Sequence, residues 1–454
     1  MGKLSKFFVI FGIITFTANF ILQPLNSPFT LTAAIDNNSI ADQDWPTVQL
    51  SNTNFNVSWE AIKTIPDNNG LIYVLWNEFS DVTNETNLYF CFYDETTFSA
   101  PELIFHIQQN VTIDRLRIPF DAVFDSLNRL HIVYLLKVDD ILCYHQYYSD
   151  SVWSTPVLLE VWGQFSLLAD NSAKVYLFGV KRAPENAPNI FMRVFSENSW
   201  SDAVQLTSYT DIPSTIQYIN DLTPSIDSAA KRIFIGYNYG KSVYSEEDDP
   251  QETWAFRYLL KEKAIWKEHE YKAERCYEPK SVIDDTGRLH LLYNNGSSSE
   301  GYYFNYAVLK NFWKSETSIE IYSASDVEGR TDPLICDMKI LGSDIFVVFT
   351  NKDLTDDVDI NLLHYNANIS WTQIPVYKND SIYSFLPMVS LTENGTLVVV
   401  HMAYTGGDFV LLASYQNDVF VYSTTKAFPG YNLVITLLSI FFILPFTSKR
   451  KRNN

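Results

Sequence analysis

The chain has 454 residues, of which 46% are hydrophobic and 15% aromatic, with 28 Tyr, 31 Phe and 10 Trp. Its 33 Lys and Arg stand against 53 Asp and Glu, a formal net charge of −20, which repels phosphate backbones and excludes nucleic acid as a partner. So rich an aromatic content suits pleated, half-buried surfaces and points to an all-β chain.

At the N-terminal end, Lys3 and Lys6 precede an apolar run from Phe7 to Leu22, and small residues follow at Thr32-Ala33-Ala34. Charge, apolar stretch and small residues in that order read as a secretory signal over 1–34, so export is expected. An anchor that stays attached is the alternative.

Beyond it one short phrase recurs: Ile72 to Trp76, Leu130 to Tyr134, Val175 to Gly179, Ile233 to Tyr237, Leu289 to Tyr293, Ile345 to Phe349 and Leu397 to His401. The mean spacing of about 54 residues falls where repeats mean propellers or arrays. Each repeat carries four apolar segments, best seen over 119–159, and four short strands with tight connections make one antiparallel blade. Pro119, Pro224, Pro279, Pro333 and Pro387 are read as opening a first strand, where a missing N–H is tolerated. Phe98, Trp153, Trp200, Trp266, Trp313, Trp371 and Phe420 are read as opening the fourth.

A blade with two apolar faces cannot bury them alone, so neighbours must stack, and a ring leaves no long exposed edge. The expected fold is therefore a seven-bladed β-propeller of four-stranded antiparallel blades over 45–425. Eight blades with one unrecognised, and two stacked β-sandwiches, are the alternatives.

Cys91, Cys143, Cys276 and Cys336 are spaced neither for zinc nor as a redox pair. Cys91 and Cys143 occupy corresponding strands, so a bridge between them is conceivable beside the plainer reading of small buried thiols. Asn37, Asn56, Asn84, Asn110, Asn295, Asn368, Asn379 and Asn394 open Asn-x-Ser/Thr sequons, which fit a glycosylated exterior protein.

At the C-terminal end an apolar stretch over 428–447 has 20 residues, and Lys449-Arg450-Lys451-Arg452 follows within a basic tail over 448–454. That length just crosses a hydrocarbon core, and the basic end stays cytoplasmic, which puts the repeats outside the cell as a membrane-anchored surface protein. The tail resembles the sorting tails of archaeal surface proteins, in which a Pro-Gly-aromatic signature precedes the span, here Phe428-Pro429-Gly430-Tyr431. The resemblance implies cleavage and transfer to a lipid; an uncleaved single-pass anchor is the other reading.

The turns Ser149-Asp150-Ser151-Val152-Trp153, Glu197-Asn198-Ser199-Trp200 and Asn366-Ala367-Asn368-Ile369-Ser370-Trp371 are degenerate Asp-boxes that lack the glycine. On these the repeat region resembles the sialidase-like propellers, although that family has six blades. In a propeller, the connections between blades and those between second and third strands emerge on one face around the channel mouth, where ligand sites gather. Arg117, Arg275 and Arg330 fall on that face two to four residues before a first-strand proline, and arginine forks suit a carboxylate.

Leu116-Arg117-Ile118-Pro119 resembles the Arg-Ile-Pro signature of sialidases, with Leu116 where an aromatic is expected. The resemblance implies Asp139 or Asp140 as acid/base and Tyr383 as nucleophile, but no Glu to activate the tyrosine is evident.

No cofactor is expected. The loops Glu246-Glu247-Asp248-Asp249 and 353–359 could hold Ca²⁺ but lack the order of a dedicated calcium loop, so they read as solvated acidic loops. His131 and His290 share a position that Tyr, Phe or Val fills elsewhere, which makes them partly buried, hydrogen-bonded strand residues rather than ligands. The expected function is binding without chemistry, of a glycan or a surface protein, through exposed aromatics such as Tyr218, Tyr239, Tyr244, Tyr302 and Tyr383. The alternative is a sialidase-like hydrolase of carboxylated glycans.

Overall fold

The computed structural model describes residues 45–417 except 52–55, 81–82, 84, 109–118, 138–140, 160–162, 182–186, 213–214, 228–230, 244–250, 263–264, 273–275, 298–300, 311–314, 325–334, 353–357, 367–369, 379–382, 393 and 406–408. The described strands form seven antiparallel sheets. A short strand, β1 (Thr47–Gln49), precedes the first of them.

The first sheet is β2 (Asn56–Pro66), β3 (Ile72–Ser80), β4 (Glu85–Tyr93) and β5 (Glu102–Gln108). The second is β6 (Phe120–Phe124), β7 (Leu130–Lys137) and β8 (Ile141–Ser149), with an outer edge split into β9 (Val152–Trp153) and β10 (Val157–Leu158). The third is β11 (Phe165–Ala169), β12 (Val175–Lys181) and β13 (Asn189–Ser196), split likewise into β14 (Ser199–Trp200) and β15 (Val204–Gln205).

The fourth sheet has the longest inner strands: β16 (Thr215–Asp227), β17 (Arg232–Val243), β18 (Gln251–Glu262) and β19 (Ile265–Lys272). The fifth is β20 (Tyr277–Ile283), β21 (Leu289–Ser297), β22 (Gly301–Lys310) and β23 (Ser315–Ala324). The sixth is β24 (Ile335–Leu341), β25 (Asp344–Lys352), β26 (Val358–Asn366) and β27 (Ser370–Tyr377). The seventh is β28 (Tyr383–Leu391), β29 (Leu397–Tyr404) and β30 (Phe409–Gln416), and its outermost strand is β1.

The innermost strands β2, β6, β11, β16, β20, β24 and β28 each contact the next, and β28 contacts β2. Seven apolar cores lie between successive sheets, from that shared by the seventh and first sheets to that shared by the sixth and seventh. The chain is thus a seven-bladed β-propeller, as the repeat demanded. Among the described residues no helix is long and apolar enough to cross a membrane; the segments 1–34, 428–447 and 448–454 lie outside them.

Closure differs from the sequence expectation. The seventh sheet takes its fourth strand from the front of the chain: Thr47 pairs with Ser414 and Gln49 with Leu412. Phe420, expected to open that strand, lies outside the described residues. Trp45 is buried in the core between sixth and seventh sheets and Leu50 in that between seventh and first, so six residues pin both flanks.

Asp67, Asp125, Asp170 and Asp284 open the turns between first and second strands. In each, Oδ1 accepts from the N–H groups two and four residues along, at 2.8–3.0 Å. The residue three along has positive φ: Gly70 (88°), Asn128 (60°), Ala173 (59°) and Gly287 (76°). Alanine pays for that left-handed backbone and glycine does not. Ala173→Gly is therefore expected to stabilise the protein by about 1 kcal/mol, read as a raised urea midpoint; an unchanged or lowered midpoint contradicts it.

The second residue of the next strand reaches back to the same carboxylate. His131 Nε2 lies 3.1 Å from Asp125 Oδ2, His290 Nε2 lies 3.0 Å from Asp284 Oδ2, and the Tyr176 hydroxyl donates to Asp170 Oδ2 at 3.0 Å. Arg129 and Arg288 bind these carboxylates from the side. Both histidines are fold residues, buried and hydrogen-bonded. Burial alone would raise Asp125, but His131 and Arg129 hold it at about 2.

Five of the seven fourth-strand aromatics are wedges between sheets; Trp313, like Phe420, lies outside the described residues. Each of the five meets a ring of the preceding sheet: Phe98 with Tyr415, Trp153 with Phe90, Trp200 with His145, Trp266 with Phe178 and Trp371 with Tyr306, at 5.0–6.4 Å between ring centroids.

Pro119 immediately precedes β6 as expected and Pro333 lies outside the described residues, but the other three prolines depart from the expectation. Pro224, Pro279 and Pro387 stand within β16, β20 and β28, beside register shifts at 220/223, 277/280 and 385/388. An innermost strand is bonded on one side only, so a bulge there absorbs the missing N–H and the strand continues toward the channel mouth.

Among the described residues there is no disulfide. Cys91, Cys143 and Cys276 are buried thiols. Cys91 faces the seventh sheet and Cys143 the third, so they point into different cores and cannot bridge. Burial pushes both thiols up to about 12.

Candidate functional site

Connections between sheets and those between second and third strands leave the ring on one face, and β28 starts there. Its first residue, Tyr383, is 50% exposed. The register sets Tyr383 opposite Tyr404, the last residue of β29, and Tyr404 opposite Phe409, the first of β30. The Tyr404 and Phe409 rings lie 5.1 Å apart, and Phe385 meets Phe409 edge-on at 5.7 Å. Asn56 of the first sheet accepts the Phe409 N–H through Oδ1 at 3.0 Å and fixes that end. Three strands thus present a row of aromatic side chains at the mouth, with Tyr383 the most open.

The other residues singled out from the sequence, Arg117, Asp139, Asp140, Arg275 and Arg330, lie outside the described residues, as do the acidic loop 244–250 and residues 353–357. Of the aromatics expected to be exposed, Tyr383 is so. Tyr239 is buried within β17, and Tyr218 is half-buried in β16, its ring stacked on Trp254 at 6.0 Å. Long inner strands in the fourth sheet, rather than loops, carry those two positions. Among the described residues no group of His, Cys, Asp and Glu is arranged to hold a metal.

A second cluster toward the same face joins the third sheet to the fourth. Tyr209, in the connection, stacks on Tyr239 at 4.2 Å, and Arg257 lies over the Tyr239 ring at 4.9 Å. Glu268 Oε1 accepts from the hydroxyls of Tyr209 and Tyr237, the latter at 3.0 Å, and from Arg257 at 3.0 Å.

This is a tyrosine–glutamate pairing other than the one sought for Tyr383, and it was not legible in the sequence because Glu268 stands 59 residues beyond Tyr209. Its chemistry differs from that of an ionised nucleophile. Burial first, and then donation to Glu268, raise the Tyr209 phenol well above its ordinary value and keep it protonated. Arg257 neutralises the carboxylate, so the cluster is a hydrogen-bonded strut.

The channel is also cross-linked. Lys63 of β2 pairs with Asp121 of β6 at 2.6 Å, and Asp121 Oδ2 accepts from Ser166 Oγ and the Leu167 N–H of β11. Side chains of three successive inner strands converge on one carboxylate.

No family model and no curated protein matches the sequence. Solved structures do resemble the fold. A polysaccharide lyase PL25 ulvan lyase superposes with a TM-score of 0.56 at 10% identity, covering 82% of this chain and 96% of that one. A PL25 ulvan lyase bound to -[GlcA(1-4)Rha3S]- gives 0.54 at 11% identity, with 82% and 96% covered. The polysaccharide lyase Uly1 gives 0.51 at 8% identity, with 86% and 95% covered. At these identities the likeness is one of fold.

Proposed function

We propose that this protein is a glycan-binding β-propeller, displayed outside the cell and held at the membrane by its apolar segment 428–447. The aromatic row of Tyr383, Tyr404 and Phe409 carries the reading. Sugar rings have apolar faces that stack on exposed aromatics, and a site at the mouth of a rigid ring keeps its shape without a ligand. Two further supports are the fold shared with polysaccharide lyases, one of them bound to -[GlcA(1-4)Rha3S]-, and the export and anchor expected of residues 1–34 and 428–447. Arg117, Arg275 and Arg330, on the connections to the same face, supply cations for a carboxylated sugar in this reading.

Full-length protein on a glycan array is expected to retain a subset of acidic polysaccharides without releasing reducing ends. Tyr383→Ala is expected to weaken retention roughly tenfold, the loss of an aromatic anchor. Retention of no glycan, or unchanged retention by the variant, rejects the site. Release of reducing ends replaces binding with catalysis. Surface biotinylation of intact cells is expected to label the chain.

A further inference from the structure

On the opposite face, between the third and fourth sheets, is a pocket of about 380 Å³ lined by Asp170, Ser172, Lys174, Tyr176, Lys231 and Lys261, with Ile226 and Ile233 as its apolar wall. The three lysines come from separate elements: the turn before β12, the turn before β17, and the end of β18.

Their isolation has a local cause. Where arginine stands next to this turn, it folds back onto the turn carboxylate, as Arg129 does on Asp125, Arg232 on Asp227 and Arg288 on Asp284. In the third sheet lysine takes that place at 174, and Asp170 bonds only within its own turn and the strand that follows. Asp170 Oδ1 accepts from Ser172 N, Ser172 Oγ and Lys174 N, and Oδ2 accepts from the Tyr176 hydroxyl. Among the described residues no carboxylate comes within 4.0 Å of the Lys174, Lys231 or Lys261 ammonium, in a chain whose net charge is −20.

Lys261 is half-buried, over the rings of Tyr176 at 5.8 Å and Trp266 at 5.6 Å. Burial, and then repulsion by the neighbouring Lys174, lower its pKa, and Asp170 offsets part of this. An anion between them removes that repulsion, and the Ile226, Ile233 and Tyr176 wall suits a ligand with an apolar face. The volume is that of a small-molecule site.

We propose that this pocket is a second ligand site, for a sugar residue bearing a sulfate or a carboxylate. The anion chemistry stands on the lysines alone; the choice of a sugar as its carrier rests on the glycan reading above.

The test is titration of the full-length protein with glucose 6-sulfate, glucuronate, glucose and inorganic sulfate, followed by calorimetry and by the ¹⁵N shifts of the lysine side chains. Glucose 6-sulfate or glucuronate is expected to bind and to move the Lys261 resonance, with glucose silent. Lys174→Gln and Lys231→Gln, at exposed positions that leave the fold intact, are each expected to weaken binding about tenfold. Tyr383→Ala is expected to leave this titration unchanged, so failure at the channel mouth and failure here are separable. Inorganic sulfate binding as tightly as glucose 6-sulfate overturns the sugar. Absence of binding by every anion, or binding unaffected in both lysine variants, overturns the site.

Discussion

Deleting residues 45–50 is expected to unfasten the ring and to abolish cooperative thermal unfolding. The segment gives the seventh sheet its outer strand, through Leu50 N to Leu411 O at 2.9 Å, Tyr415 N to Pro46 O at 3.2 Å and the Thr47–Ser414 hydroxyl pair at 2.9 Å. Without it β30 is an unpaired edge, prone to pair with other chains. Trp45 and Leu50 would also leave the cores on the two sides of that sheet. Truncating one buried aromatic alone costs about 3–5 kcal/mol, a large part of a typical folding free energy of about 5–15 kcal/mol. Calorimetry should show a broad, early transition, and limited proteolysis should cut first within 383–416. A synthetic peptide spanning 45–51, added in excess, should restore part of the melting temperature. A deletion variant that melts with the parent would show that the seventh sheet holds without its borrowed strand.

Acid should weaken the protein well above the carboxylate range, because several buried histidines are neutral in the fold. His401 is fully buried in β29, beside the Tyr377 ring at 4.8 Å, and neither ring nitrogen has a hydrogen-bond partner. Burial pushes it down to about 3. His145, buried beside His131 with Nε2 3.0 Å from Nδ1, is pushed down to about 3 by burial and then by His131 and Arg129.

The unfolded chain takes up these protons near pH 6.5 and the fold refuses them until about 3. Stability is therefore lost as pH falls through that window, by about 1.4 kcal/mol per pH unit for each histidine. Asp125 works in the same direction but lower: its contribution is present above 3.8 and is lost as pH falls toward about 2.

The corresponding residue of the sixth sheet is Phe349, so His401→Phe should fit. It is expected to remove one proton's worth of slope from urea midpoints measured between pH 7.5 and 4. Parallel slopes for parent and variant would mean that His401 is already protonated in the fold.

Much of this architecture was legible in the residues. The apolar phrase that recurs every fifty-odd positions is the second strand of each sheet, and its strict burial made it visible. The aromatics Phe98, Trp153, Trp200, Trp266 and Trp371 could be counted because each must fill the same wedge. The ring's fastening could not be read, since Thr47–Gln49 has only three residues and its partner lies 367 positions away in Ser414.

The site was harder for a similar reason. Tyr383 could be picked by its place before a first strand, but its neighbours Tyr404 and Phe409 come from the ends of other strands. The lysine pocket escaped notice because its three lysines come from separate elements, at 174, 231 and 261. One signal for it is present in the sequence: lysine stands at 174 where arginine stands at 129 and 288.

The three sequestered thiols have a practical corollary. None of Cys91, Cys143 and Cys276 is in a disulfide, and Cys91 and Cys143, held at about 12, are poor partners for exchange. The wheel should therefore assemble as readily in a reducing cytosol as beyond it, which makes a bacterial cytoplasmic host a sound source of material.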